Sequence, residues 1–159
     1  MKRVAVLGAG RVGSLIAADL AADDAIAVTV ADASAEALGR LSASCGAHTV
    51  RADLSSPAEL ARVLASCDAV ITKPGYGMFT EAACNGVPVL YVTRRDWPEE
   101  PCLVQWLRQN AACLEVERGM LLAGELGDAL QQLWALPLPP RPDATGAVAA
   151  AEFLKATFF

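Results

Sequence analysis

Short apolar runs and amphipathic stretches alternate along the whole chain. Six runs rich in Val, Ile or Leu have the length of strands, at residues 3–7, 26–31, 47–51, 69–72, 88–92 and 112–116. Five stretches between them have the apolar spacing of a helix, at residues 12–22, 35–44, 57–66, 79–85 and 101–110. This alternation predicts an α/β fold: a doubly wound, Rossmann-like parallel sheet of six strands in the order 3-2-1-4-5-6, with helices on both faces.

The last quarter of the chain continues the helical pattern. Residues 120–136 predict a further helix, although Gly124 and Gly127 each weaken it by about 1 kcal/mol. The proline-rich residues 136–142 cannot continue that helix. We interpret them as a stiff tether to a last helix at 145–157, with a polyproline ligand as the alternative. No internal repeat or interdomain linker interrupts residues 1–159, which predicts a single domain.

A glycine-rich motif lies between the first predicted strand and the first predicted helix. Its residues are Gly8, Ala9, Gly10, Arg11, Val12 and Gly13. A G-x-G-x-x-G sequence in this strand-to-helix context is typical of dinucleotide-binding folds. Gly8 permits the tight turn, Gly10 lets a pyrophosphate approach the backbone, and Gly13 lets the helix pack on the strand. The amides at the helix start are then free to bind anionic oxygens.

An acidic residue follows this motif at the distance that ribose recognition requires. Asp32 ends the second predicted strand, nineteen residues after Gly13. Its carboxylate would accept hydrogen bonds from both ribose hydroxyls of an adenosine, and its negative charge would repel the 2′-phosphate of NADP. Ala33 and Ser34 offer no arginine beside it, although Arg11 or Arg51 could reach this position. We therefore expect NAD as the cofactor, ahead of NADP.

Asp53 and Leu54 follow the third predicted strand. They are candidates for the adenine site, Leu54 as an apolar face and Asp53 as a polar edge. An ordinary helix cap is the alternative interpretation of this pair.

The first 71 residues resemble the amino-terminal nucleotide-binding half of the saccharopine dehydrogenase family. The resemblance is carried by the glycine motif and by short segments at residues 30–32, 52–54 and 67–71. It implies a Rossmann domain that binds NAD(P). Members of that family also carry a second domain, which binds the substrate and supplies much of the catalytic site.

The remainder of the chain, from about residue 68 to 159, resembles a different family: the donor-binding half of GT-B-type glycosyltransferases. The matching residues are Gly75, Gly77, Thr80 and Glu81, together with Asp96 to Pro101 and the terminal helices. This resemblance implies a sugar-nucleotide diphosphate at the glycine turn and a ribose at Glu81. Pro74 stands where many members have glycine.

The two resemblances meet at residues 67–72, so the sequence resembles a chimera with a candidate fusion point there. It could be a natural recombinant or an engineered fusion. The glycine loop and the segment Lys73, Pro74 and Gly75 would then face one crevice, with this segment on the nicotinamide-ribose side.

Composition excludes several other functions. Thirteen basic and eighteen acidic side chains give a net charge of −5, which argues against nucleic acid as a partner. His48 is the single histidine and the five cysteines form no C-x-x-C, so we predict no metal site. We expect those cysteines to be reduced and mostly buried. No apolar run fits a signal peptide or a membrane span, so we expect a cytoplasmic protein with no membrane partner.

The sequence therefore predicts an NAD(P)-binding Rossmann domain without a complete active site of its own and with no catalytic residue assigned. Three alternatives remain. The first is an NAD-dependent oxidoreductase that needs another domain or subunit. The second is a nucleotide-sugar-binding fragment of a glycosyltransferase, and the third is a recombinant scaffold with no ligand. The sequence does not determine an oligomeric state.

Overall fold

A computed structural model describes residues 1–93 and 97–158 of the chain; Asp96, part of the glycosyltransferase resemblance, lies outside them. Its six strands form one parallel sheet. They are β1 Lys2–Leu7, β2 Ile26–Asp32, β3 His48–Arg51, β4 Ala69–Thr72, β5 Val89–Tyr91 and β6 Cys113–Glu115. The strand order is β3-β2-β1-β4-β5-β6, which confirms the predicted α/β architecture.

Helices follow the strands in the predicted alternation. They are α1 Arg11–Leu20, α2 Ala35–Ser42, α3 Pro57–Leu64, α4 Tyr76–Asn85, α5 Glu100–Asn110, α6 Arg118–Ala123, α7 Gly127–Ala135 and α8 Gly146–Phe158. The prediction of one helix over 120–136 is wrong, because α6 and α7 are separate. Gly124 ends α6 at φ +83°, and a Cβ there would lie 2.8 Å from Cβ of Asp19 on α1.

The sheet is covered on both faces. Strand residues such as Val4 and Val30 pack on one face with Leu20 of α1 and Leu130 of α7. The opposite face is covered by α3, α4 and α5. Its buried side chains include Val70, Val89, Tyr91, Phe79 and Leu107. Because both faces are buried, the strands are almost continuously apolar rather than alternating.

Helix α8 differs from the other long helices because none of its residues is buried. Its large apolar side chains are exposed to solvent. Phe153 is 66% exposed and Phe158 is 68% exposed. No helix in the described part of the chain combines the length and the hydropathy that a membrane span requires.

The cysteines are free thiols, but the prediction that most are buried is wrong. Only Cys67 is buried, and Cys102 is exposed, because it lies on the solvent side of α5. The other three are partly exposed: Cys45, Cys84 and Cys113.

Candidate nucleotide-binding site

The candidate site lies where the strand order reverses. β1 and β4 are neighbours in the sheet, and the chain continues from them to opposite sides. In such sheets the crevice at the carboxyl ends of the two strands is the usual ligand site. A cavity of about 270 Å³ occupies this position, and Val12, Gly13 and Lys73 are among its lining residues. Val12 and Gly13, the last residues of the glycine motif, therefore share one cavity with Lys73, the residue after β4.

The cavity has further walls that the sequence did not identify. Ile16 of α1, Val92 after β5 and Leu121 of α6 also line it. Val92 could have been predicted to line the cavity, because it directly follows β5 at the carboxyl edge of the sheet. No local signal pointed to Leu121, because the packing of α6 against α1 is a tertiary contact.

Three positions of the loop hold glycine for different structural reasons. Gly8 has φ +104°, a conformation that L side chains rarely adopt. A Cβ on Gly13 would collide with the carbonyl oxygen of Gly8, so this position requires close helix-to-strand packing. A Cβ on Gly10 would meet no atom within 4 Å. Contacts within the chain therefore do not require a glycine at position 10. The space beside Gly10 is open, and a ligand can fill it.

Two helices at the crevice begin without a side-chain cap. Gly10 is the N-cap of α1 and Gly75 that of α4; neither helix has an acidic residue in its first turn. By contrast, Ser34 caps α2 and Ser56 caps α3, with a glutamate in each first turn. Uncapped first-turn amides, those of Arg11, Val12 and Gly13 in α1, have no partner within their own helix. Together with the helix dipole they favour an anion.

Asp32, at the end of β2, is joined to the glycine loop. Its Oδ2 accepts a hydrogen bond of 2.7 Å from the amide of Ala9, and its Oδ1 accepts one of 2.7 Å from the amide of Ser34. The Ser34 and Ala9 amides lower the pKa of Asp32, so the carboxylate is ionised at neutral pH. A fixed negative charge therefore lies beside the glycine loop.

A cation lies at the same edge of the sheet. Arg51, the last residue of β3, is in register with Asp32. Its Nε donates a hydrogen bond of 3.3 Å to the carbonyl oxygen of Ala33. The Arg51 guanidinium is thus held next to Ala33, the residue that follows the acidic position, and Arg51 is one of the two arginines that the sequence named as able to reach it.

Asp53 and Leu54 have structural partners within the chain. Asp53 Oδ1 accepts hydrogen bonds from the Ser55 hydroxyl at 2.6 Å and the Ser55 amide at 2.9 Å. These bonds lower the pKa of Asp53. Leu54 packs, partly buried, on the apolar residues between the sheet and α3. Asp53 thus holds the turn before α3, whereas the helix cap considered as the alternative is supplied by Ser56. Neither Asp53 nor Leu54 lines the 270 Å³ cavity.

The segment after β4 divides between two surfaces. Lys73 lines the crevice, Pro74 is buried, and Gly75 begins α4. Glu81, six residues after Gly75, instead lines a separate cavity of about 540 Å³ with Trp106 and Asp143. Lys73 and Glu81 therefore do not face the same space.

No group of three or more His, Cys, Asp or Glu side chains that could hold a metal ion occurs among residues 1–93 and 97–158.

Several solved structures have a similar fold. Saccharopine dehydrogenase (L-Glu forming) from Saccharomyces cerevisiae matches 72% of the chain at 26% identity, with a TM-score of 0.60. The match covers 27% of that enzyme, so the chain spans about a quarter of its length. Triphenylmethane reductase from Citrobacter sp., in complex with NADP(H), matches 71% of this chain and 48% of its own at 17% identity, with a TM-score of 0.55.

A glycosyltransferase is also similar. VinC in complex with DTDP matches 98% of this chain and 37% of its own at 24% identity, with a TM-score of 0.60. At this identity the similarity shows the shared fold. The resemblance of the chain is therefore mixed, as its sequence indicates.

No curated protein sequence matches the chain. The sequence model described as the saccharopine dehydrogenase NADP binding domain matches residues 4–113, which include both the glycine loop and the segment after β4. This match covers more than half of the chain. The protein belongs to the saccharopine dehydrogenase NADP-binding domain family.

Proposed function

We propose that the chain binds NADP(H) along the carboxyl edge of β1, β2 and β4 and forms the cofactor-binding part of an oxidoreductase. The observation that carries the proposal is the uncapped start of α1 behind Gly10, in a loop that shares its cavity with Lys73. This site suits a pyrophosphate, because the free amides and the helix dipole both favour negative charge.

The proposed cofactor runs across the edge of the sheet. Its pyrophosphate lies on Gly10, Arg11, Val12 and Gly13, and its nicotinamide ribose lies beside Lys73, Pro74 and Gly75. Its adenosine ribose lies at Asp32 and Ala33, with Asp53 and Leu54 near the adenine. The bound cofactor would supply hydride transfer, while these residues hold and orient it.

The choice of NADP over NAD depends on Arg51. A 2′-phosphate beside Asp32 would meet a like charge, which by itself favours NAD. Arg51, held on the carbonyl of Ala33, supplies a guanidinium at the same edge that offsets this repulsion. The family is described as NADP-binding, which also favours NADP over the NAD inferred from Asp32.

We further propose that the substrate site is completed by another domain or subunit. The similarity to the S. cerevisiae enzyme, of which the chain spans about a quarter, supports this arrangement. The chain would then act as one domain over residues 1–159, in which the two resemblances join near residues 67–72, next to and within β4.

A cofactor titration of the wild-type chain and Gly10→Val tests the proposal. A Val side chain fits the backbone and the open space at Gly10 but occupies the pyrophosphate volume. We expect wild type to bind NADP and the variant to lose binding while keeping its melting temperature. At 100 times its dissociation constant a ligand adds about 2.7 kcal/mol, a thermal shift of about 5–10 °C.

Gly46→Val is the matched control, because Gly46 is an exposed loop glycine with equally open space around its Cα. It should bind NADP as wild type does. Unchanged NADP binding by a folded Gly10→Val variant, or no binding of NADP or NAD by wild type, would contradict the proposal.

A sugar-nucleotide site is the second candidate, favoured by the uncapped start of α4 at Gly75. Against it, Glu81 faces away from the crevice, and the Thr80 hydroxyl donates hydrogen bonds to the carbonyls of Tyr76 and Gly77. We expect UDP to bind weakly or not at all, and Asp32→Ala to cost more dinucleotide affinity than Glu81→Ala. A UDP site that is tighter than the dinucleotide site and lost in Glu81→Ala would reverse this ranking.

A further inference from the structure

A second cleft lies at the opposite end of the sheet from the crevice. Its volume is about 320 Å³, and its lining includes Lys2 and Arg3 at the start of β1 and Asp68 just before β4. Trp134 of α7 and Arg141 of the proline-rich segment also line it. We call it the amino-end cleft, because parallel strands begin at this edge.

The amino-end cleft is positively charged although the chain is acidic. Its lining holds three cations, Lys2, Arg3 and Arg141, and one carboxylate, Asp68. The chain as a whole has a net charge of −5. A concave surface lined by one sign of charge concentrates its field and attracts ions of the opposite sign.

The single carboxylate is already paired with one of the three cations. Asp68 Oδ1 accepts a hydrogen bond of 2.9 Å from Arg3 Nη2, and its Oδ2 accepts one of 2.8 Å from the Arg3 amide. The Arg3 side chain lowers the pKa of Asp68, which keeps the pair ionised. Asp68 is paired most closely with Arg3, and Lys2 also acts on its charge, so the lining has a net excess of two positive charges.

The nearest contacts described for Lys2 and Arg141 are with an aromatic ring and with the backbone at a helix end. Lys2 Nζ lies 5.3 Å from the ring centroid of Trp134, a cation–π contact. The Arg141 guanidinium lies against Gly86, where a Cβ would collide with it, at the negative end of α4. Within the described residues, neither Lys2 nor Arg141 forms an ion pair.

The rest of the lining is suited to an organic group rather than a bare ion. Leu136 and Leu138 border the cleft on the side of Trp134. The Trp134 ring is fixed in place, because its Nε1 donates a hydrogen bond of 2.9 Å to the carbonyl oxygen of Asp68. The cleft thus combines a fixed aromatic ring, apolar side chains and two cations that form no ion pair within the described residues.

We propose that the amino-end cleft is a binding site for a small organic anion. Its phosphate or carboxylate group would lie between Lys2 and Arg141, and its ring or hydrocarbon part would lie against Leu136 and Leu138 beside Trp134, whose ring already contacts Lys2. The volume of the cleft is at the lower end of the range of ligand pockets, which fits a molecule much smaller than a dinucleotide. This site is independent of the cofactor crevice.

The test uses phenyl phosphate, benzoate and inorganic phosphate as probes, on the full chain carrying Gly10→Val so that the crevice does not contribute. The readout is the indole N–H signal of Trp134 in a nitrogen–proton correlation spectrum, identified by its loss in Trp134→Phe. We expect a saturable shift with phenyl phosphate or benzoate, and weaker binding of inorganic phosphate, which has no ring. Binding should weaken as salt is added.

Variants separate this site from non-specific attraction. Lys2→Gln and Arg141→Gln should each weaken binding of the preferred probe about tenfold, which corresponds to about 1.4 kcal/mol. The control Arg40→Gln removes a cation that is paired with Glu36 on α2, and it should leave binding unchanged.

Three results would overturn the proposal. One is the absence of a saturable Trp134 shift, and another is an equal loss of affinity in all three charge variants. The third is a lower melting temperature of Arg141→Gln with probe affinity intact, because Arg141 would then only fasten the proline-rich segment.

Discussion

The Asp32 carboxylate accepts a hydrogen bond from the backbone amide of Ala9 at a distance of 2.7 Å. The acidic residue at the end of β2 is therefore part of the structure that holds the glycine loop, in addition to its proposed position at the ribose. A change at Asp32 should act on stability as well as on binding.

The first prediction concerns acid stability. Asp32→Asn should lower the free energy of unfolding at neutral pH by about 1–2 kcal/mol, because it removes the charge of a partly exposed group and leaves one acceptor oxygen for the two backbone amides. The Ser34 and Ala9 amides lower the pKa of Asp32 in the folded state. The stability that this provides is complete above the unfolded pKa of about 3.9 and is lost as pH falls through the lower folded pKa.

Urea denaturation of wild type and Asp32→Asn across this pH range measures the effect. The difference between them should shrink on acidification. Asp24→Asn, at an exposed turn position, should show no such difference. A gap between wild type and Asp32→Asn that stays constant at all pH values would mean that the charge is not involved.

The second prediction concerns cofactor choice. Arg51→Gln should raise the dissociation constant of NADP about tenfold or more and leave that of NAD nearly unchanged, because only NADP carries the 2′-phosphate. Calorimetric titration with both cofactors gives the ratio. Arg62→Gln, an exposed arginine in the last turn of α3, serves as the control. Equal losses for the two cofactors would place Arg51 away from the 2′ position.

The third prediction separates two glycines of the same loop. Gly13→Ala should destabilise the fold by about 1–3 kcal/mol, because its Cβ would overlap the Gly8 carbonyl oxygen. Gly10→Ala should be nearly neutral, since the space beside Gly10 is open. Chemical denaturation of both variants without cofactor checks the contrast, and similar losses of stability would contradict it.

The fourth prediction concerns the end of the chain. Ending the chain after Asp143 removes α8, none of whose residues is buried. The solvent-accessible surface area of the chain is 9266 Å². This is larger than the area of about 7600 Å² expected for a compact monomer of this size. The melting temperature and the urea midpoint should therefore stay nearly unchanged. A clear loss of stability in the shortened chain would show that α8 packs on the domain in solution.

The fold was predictable because each of its main signals is local. The apolar runs and the cap at Ser56 depend on neighbouring residues, and β4 has the predicted bounds Ala69–Thr72. The break at Gly124 was not predictable in this way. The cost of glycine in a helix is small, and the close approach of Asp19, about a hundred residues earlier, is a tertiary contact.

The candidate site was predictable to a similar extent. The glycine loop and Lys73 follow adjacent strands, so topology alone brings them to one crevice. The hydrogen bond from Arg51 to Ala33 depends on the pairing of β2 with β3 and on the reach of a long side chain. For that reason the sequence named Arg51 only as an arginine able to reach the acidic residue and did not locate its contact with Ala33.

The uncapped starts of α1 and α4 have a consequence for the lifetime of the protein. Both helices direct the positive ends of their dipoles toward one crevice, so the empty domain carries an unfavourable interaction that an anionic cofactor would relieve. The fraction of unfolded chains would then rise when the cofactor is scarce. Cellular abundance would follow cofactor supply, and a variant unable to bind would be degraded faster even if its intrinsic fold were intact.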